Sequence, residues 1–365
     1  MDWSDLRRTD VLAVTMVSPT NLDAPLGELV GLDPSGCSVT AGYYTDTRTS
    51  GRLAFVGDGW VRGSILRLWH RIPEWGYERE VGTYMAVDDP ATRDRGSWRT
   101  ELELHSMLKA LSTDVAKPKT LGVGASALAA SQQILETSSR PYVVSKANDT
   151  KLKDALVLES GTDQLSRLYS LAKACDNRLD VDAHGRVTID PYQAPYAKSP
   201  VLEISLSDPR GVAQEGITRT SNLLSMPNRA YVSYRYTDSS GGKSEQREIV
   251  EFADATGSRS PASVGWVISD VHSLSEMEPQ TAARAQELAR QYLEDDQHEH
   301  VEWELTTAFL PVWEGDVVDL VVDDGPEWYR GRRRCLVKSL DMELAHFTMR
   351  LTLKEVRPHD DEKEE

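Results

Sequence analysis

Short runs rich in β-branched and aromatic residues, each bounded by Gly, Asp or Pro, recur at both ends of the chain. This punctuation constrains the fold more than any other feature. VLAVTMV turns through Ser-Pro-Thr-Asn into a second run, and GCSVTAGYY, GRLAFVGD, SILRLWHRI and GTYMAVDD follow. Evenly spaced strands with turn signals between them predict an antiparallel barrel or sandwich. The same signature returns in LEISLSD, AYVSYRYTD and REIVEFAD, the last two joined by SSGGK as a tight turn. It closes the chain in HVEWELTTAF, DVVDLVVDD, WYRGRRRCLVKSLDME and HFTMRLTLKEV.

A different period occupies the middle. In SWRTELELHSMLKALSTDV, Leu104, Met107, Leu108 and Leu111 stand at helical spacing, which predicts a helix capped by Ser97 or Thr100. LGVGASALAASQQILET reads as a loop leading into a short helix. TDQLSRLYSLAKACDNR is the clearest helix: Leu165, Leu168, Ala172 and Cys175 share a face, Thr162 caps it, and Asp163 suits the positive end of its dipole. A later helix, EPQTAARAQELARQYLEDD, carries Ala282, Ala285, Leu288, Ala289 and Leu293 along its apolar stripe. QAPYAKSP reads as a linker and HDDEKEE as a charged, disordered tail. The division that follows is 1–95 for a first β domain, 96–197 for an α+β middle, 198–356 for a second β domain with one amphipathic helix, and 357–365 for the tail.

Charge narrows the function classes. A net charge of -17 opposes a surface that grips nucleic-acid phosphates, although it permits nucleic acid to pass without sticking. The first residues, MDWSDLRRTD, carry acids where a secretory leader needs a basic start, and no apolar run is long enough to span a bilayer. Cys37, Cys175 and Cys335 lie far apart with no C-x-x-C pair, which suits small apolar fillers in a reducing compartment.

Each candidate constellation has a structural explanation that outweighs the chemical one. His298 and His300 share one face if HEHVEWE is a strand, with Glu302 at the same parity, but no second cluster completes a zinc or nickel site. Asp316, Asp319, Asp323 and Asp324 do not follow the order of a calcium loop. Instead Val318, Leu320 and Val322 are expected to face the core, Asp319 and Asp323 the solvent, and Asp324-Gly325 a turn. Gly122-Val-Gly124-Ala-Ser126 lacks the lysine of a phosphate loop, and no clear strand precedes it. Neither a G-x-S-x-G elbow nor an H-E-x-x-H helix is present. Trp60, Trp69, Trp75 and Trp98 early, and Trp303, Trp313 and Trp328 late, are read as barrel filling and interface anchors. No catalytic, cofactor-binding or metal-binding residue is therefore assigned.

The ribbon LDVDAHGRVTIDPY is the nearest thing to an acid–base cluster. A two-residue His184-Gly185 turn pairs Asp182 with Val187 and mixes polar with apolar faces. A three-residue loop, Ala183-His184-Gly185, instead pairs Val181 with Val187 and Leu179 with Ile189, and puts Gly185 in the left-handed conformation. In that register His184 sits at a solvent-facing tip, Asp180 and Asp182 lie on the polar face, and the ribbon is scaffold.

The order of these pieces resembles phage minor tail proteins of the baseplate-hub, or tail-tip, family of long-tailed phages. The resemblance runs through VLAVTMVSPTNLDAPLGEL, GYYTDTRTSGRLAFVG, EREVGTYMAVDDP, the helix and hairpin of TDQLSRLYSLAKACDNRLDVDAHGRVTIDPY, and EWELTTAFLPVWEGDVVDLVV. It implies a mainly β fold with α+β insertions: two small antiparallel β-barrel-like domains plus a helical middle region. It also implies a virion protein of the tail tip, made in the host cytoplasm, that forms a homotrimeric ring capping the tail tube. The implied partners are the distal tail protein, the tape measure protein and other minor tail or fibre proteins, with phage DNA passing through the lumen, and no cofactor. Family members often carry enzymatic or fibre extensions, whereas this sequence stops soon after its last strand. The competing readings are a tail-associated cell-wall hydrolase, which requires a cleft with two carboxylates of perturbed titration, and a carbohydrate-binding β module.

Overall fold

The structure is a computed structural model. It describes residues 9–356 except 89, 95, 115–116, 139–140, 145, 150, 153–155, 159–160, 207–212, 214–215, 222–226, 239–244, 258–259, 275–281, 299–300, 324 and 326–329. The SSGGK turn and the charged tail lie outside the described residues.

Among the described residues fourteen strands pair into one largely antiparallel sheet. The N-terminal half of it orders Asn21–Glu28, Val11–Ser18, Ile65–Ile72, Tyr77–Asp88, Ser97–Ser106, Thr49–Val56 and Ser38–Gly42. The other half continues through Gly331–Glu343, Thr348–Glu355, Val301–Ala308 and Thr218–Ser221. Leu202–Ser205 adds to Val317–Val322 in parallel, the one non-antiparallel junction of this sheet. Alternation explains the strands: along VEWELTTA, Val301, Trp303, Leu305 and Thr307 are buried while the residues between them are not.

The two halves meet where Ser38–Gly42 lies antiparallel to Ser339–Glu343, with Ala41 opposite Leu340 and Val39 opposite Met342. All four of these side chains are buried, and they belong to one core that runs from Leu12 to Leu104 and resumes from Ile204 to Leu353. Thr40 also donates to Asp341 Oδ1 at 2.6 Å across this seam. The fold is therefore mainly β, as expected, and its two β regions share a continuous interior.

One expectation fails. Ser97–Ser106 is a strand paired with Thr49–Val56 and Tyr77–Asp88, so the N-terminal sheet runs on past residue 95; only Lys109–Ser112 is helical. The Leu102 and Leu104 side chains are buried while Glu101 and Glu103 are exposed, and this two-residue period overrides the helical spacing that continues into Leu108 and Leu111.

The middle region has its own core. Helices Ala127–Thr137 and Gln164–Ala174 pack with the hairpin Asn177–Val181/Val187–Pro191 around Leu135, Leu168, Leu171 and Ile189. The second helix is capped by Asp163 rather than Thr162, its carboxylate accepting from the Ser166 amide at 2.8 Å. A strand, Lys119–Leu121, precedes the Gly122–Ser126 turn where none was expected; it pairs with Leu156–Leu158, and Ser126 caps the following helix. A further unit sets Ala282–His298 against a sheet of Arg229–Asp238, Glu245–Asp254 and Ser269–Leu274. Ala285, Leu288, Ala289 and Leu293 are buried there as the stripe predicts, whereas Ala282 is exposed. Among the described residues no helix is long and apolar enough to cross a membrane.

Because Leu340 is fully enclosed at the seam, Leu340→Ala is expected to cost about 2–5 kcal/mol. Native-state hydrogen exchange should show the loss equally at the amides of Leu53 and Leu305, one in each β region. Loss confined to the C-terminal strands would mean that the halves unfold separately.

A candidate functional site at the junction of three regions

Three segments distant in sequence enclose a cavity of about 750 Å³. One wall is the strand from Glu78 to Tyr84 with Trp69 and Arg48 beside it, the second is the hairpin from Asp180 to His184, and the third is the loop from Phe309 to Asp316. The strand wall is shaped by a bulge, since Leu68 pairs with Gly82 but Trp69 with Glu80, leaving Val81 as the extra residue. The bare Cα of Gly82 leaves the space that the Tyr84 ring occupies.

The hairpin has the expected register, with Val181 opposite Val187 and Leu179 opposite Ile189. Gly185 adopts a φ of 84° at its tip. Ala183 and His184 are exposed, as expected, but the tip is also tethered. Thr83 donates to the Ala183 carbonyl at 2.7 Å, Arg67 donates to the Leu22 carbonyl at 3.0 Å and reaches the His184 carbonyl, and His184 Nδ1 lies 2.9 Å from Glu80 Oε2. His184 thus helps to pin the ribbon to the first β region. Asp180 is likewise not simply a wetted outer residue, being paired with Arg178 at 2.6 Å and lining the cavity.

The third wall is held by stacking and by a tight turn. The buried His70 ring packs against both Phe309 and Phe347, with centroids 4.1 and 4.2 Å away. In the turn that follows, Asp316 Oδ2 accepts from the Trp313 amide at 2.8 Å, and Gly315, at φ 84°, lies close under the Arg178 guanidinium. Lys198 donates to the Gly315 carbonyl at 2.8 Å. This turn carries Glu314 inward.

Glu314 is the most perturbed group of the site. Burial pushes its carboxyl well above the usual 4.5, the nearby Asp180 charge adds to this, and Arg178 and Arg48 oppose it. Its Oε2 has no hydrogen-bond partner. Burial also raises Asp316, against the Trp313 amide and Lys198. Tyr84, fully buried, has its hydroxyl raised first by burial and then by Glu314.

Other sequence candidates fall elsewhere. His298 ends a helix, Glu299 and His300 lie outside the described residues, and Glu302 is paired with Lys338. Asp319 pairs with Arg332 at 3.1 Å while Val318, Leu320 and Val322 are buried; Asp324 lies outside the described residues. Among the described residues no group of three or more His, Cys, Asp or Glu is arranged to hold a metal ion. The three cysteines are buried and form no disulfide with one another, and burial drives the Cys37 thiol up to about 11. Trp303 is an interior residue donating to Glu355 Oε1 at 2.8 Å, Trp69 and Trp313 line the cavity, and Trp98 is exposed; Trp328 lies outside the described residues. Sequence reading missed Glu314, whose only local signal is the W-E-G-D turn.

No protein-family model matches the sequence, and no curated protein does. Solved structures do match. The tail protein from Neisseria meningitidis MC58 superposes with a TM-score of 0.68 at 15% identity, covering 94% of this chain and 96% of that one. The 43 kDa tail protein of prophage MuSo2 from Shewanella oneidensis gives 0.66 at 11%, covering 96% and 99%. The E. coli c3393 protein gives 0.51 at 9%, covering 98% and 76%; it is a component of the type VI secretion system with structural similarity to the T4 tail proteins gp27 and gp5. The chain shares the fold of these phage and prophage tail proteins.

Three substitutions test the site. A Cβ at Gly185 meets Thr83 and Met107 at 2.8–3.2 Å in a left-handed conformation, so Gly185→Val should cost roughly 2–4 kcal/mol in chemical denaturation. His184→Ala, which removes one half-exposed ion-pair partner, should change stability by less than about 1 kcal/mol. The raised Glu314 carboxyl binds its proton more tightly in the folded chain than in the unfolded one. Its contribution to stability is therefore full below 4.5 and is lost as pH rises toward the folded value. Glu314→Gln should gain thermal stability relative to the wild type between pH 5 and pH 8; a constant difference over that range would refute the assignment.

Proposed function

We propose that this chain is a structural component of a phage-type tail, a hub at the tail tip that assembles as a homotrimeric ring and carries no catalytic activity. The observation that carries the reading is the end-to-end match with tail proteins, which leaves little of either chain unaccounted for. In this reading the ring caps the tail tube, contacts the distal tail protein, the tape measure protein and other minor tail or fibre proteins, and resides in the virion. Phage DNA passes through the lumen without specific binding. The net charge of -17 supports a non-adhesive conduit, because like charges repel a phosphate backbone.

The hydrolase alternative draws on one observation, the cavity that gathers Glu314, Asp316 and Asp180, two of them with raised carboxyls. It would use Glu314 or Asp316, whose burial-raised carboxyls line the cavity, as the general acid. Peptidoglycan zymography with the wild type and Glu314→Gln separates the readings: a cleared band lost in the variant would replace the structural hub by an enzyme.

The hub reading is tested by mass in solution and by imaging. Light scattering should give about three times 40.7 kDa at micromolar concentration, and an antibody against the chain should decorate one end of assembled tails in electron micrographs. A monomer that labels no tail would end this proposal.

A further inference from the structure

The junction cavity has an unused acceptor inside it. Of its carboxylates, Glu78 is engaged by Arg71, Glu80 by His184, Asp180 by Arg178, Asp182 by Arg186 at 2.7 Å and Asp316 by the Trp313 amide. Glu314 Oε2 alone of these combines burial with the lack of any hydrogen-bond partner, a condition that costs about 1–3 kcal/mol for a neutral group and more for a charged one. Trp69, Phe309, Val312 and Trp313 give the cavity an apolar, aromatic side, while Arg48, Arg79 and the acids line the rest. One carboxyl at the end of an aromatic-lined space fits a single cation borne on an aliphatic stem. A metal ion is a poor fit, since no three ligating groups converge among the described residues. An anion would face six carboxylates, which outnumber the lining cations Arg48 and Arg79.

We propose that this cavity is a docking site for a basic side chain, lysine or arginine, presented by a partner polypeptide, with its cation on Glu314 and its methylenes against the aromatic wall. The cavity, at about 750 Å³, has room for several residues of a peptide around that side chain. On binding, the arriving cation stabilises the ionised carboxyl, and the Glu314 proton leaves to solvent. The site deepens the hub reading by giving it a partner contact, yet it stands on the chain's own geometry: a failed ring leaves it untouched, and a failed site leaves the ring untouched.

The test uses the full chain and a fluorescent acetyl-Gly-Arg-Gly-amide probe, with its citrulline counterpart and free spermidine as competitors. The arginine probe should bind, the citrulline probe should bind about tenfold or more weakly, and Glu314→Gln should lose a similar factor with a thermal midpoint no lower than that of the wild type. Glu101→Gln, in the separate polar cleft beside Arg52 and His105, should leave the affinity unchanged. The proposal is overturned if Glu314→Gln binds as the wild type does, or if Glu101→Gln weakens binding equally, which is mere attraction to an acidic surface. It is also overturned if citrulline substitutes for arginine, or if spermidine binds and the peptide does not.

Discussion

The pairing of Ser38–Gly42 with Ser339–Glu343 is the constraint on which the rest depends. A few backbone hydrogen bonds there turn two β regions, each too small to bury its apolar face well, into one sheet over one interior. The side chains at the seam, Val39, Ala41, Leu340 and Met342, are all buried, so the hydrogen bonds are shielded from water by the core they complete. A bulge beside the seam, at Lys338, turns its carbonyl toward the Tyr43 amide, extending the contact past the last regular pair.

That union also creates the cavity. With the two β regions joined, the Phe309–Asp316 loop faces the bulged Glu78–Tyr84 strand, and the middle hairpin bridges the gap. His70 is the pivot on one side, its ring packed against both Phe309 and Phe347 while Nε2 meets Asp10 at 2.5 Å. A polar side chain so deep in an apolar stack fixes the relative position of strands that hydrophobic contact alone leaves free to slide. Its cost is offset by the carboxylate that reaches it.

Much of the fold was legible because alternation and capping are local. The hairpin register followed from keeping Val181, Val187, Leu179 and Ile189 on one face, and the helix Gln164–Ala174 followed from its stripe. The misreading of Ser97–Ser106 has a local cause too: T-E-L-E-L-H alternates with period two, but the leucines after it fall at helical offsets and drew the pattern forward. The site was not legible. Glu314 is one acid among many until Asp180 and Tyr84, brought from distant parts of the chain, surround it and strip away its water. His184 is the exposed tip that the register predicted, but its partner Glu80, far away in sequence, was not legible for the same reason.

The seam has a consequence for how the chain reaches its native state. Thr40 and Asp341, hydrogen-bonded across it, are separated by 301 positions, so the N-terminal sheet cannot find its neighbour until nearly the whole chain has left the ribosome. Until then Val39, Ala41 and Leu53 belong to an incomplete interior with an open strand edge. Such an intermediate is prone to associate with copies of itself. Synthesis rate and chaperone occupancy, rather than final stability, should then govern how much of this protein a cell can accumulate.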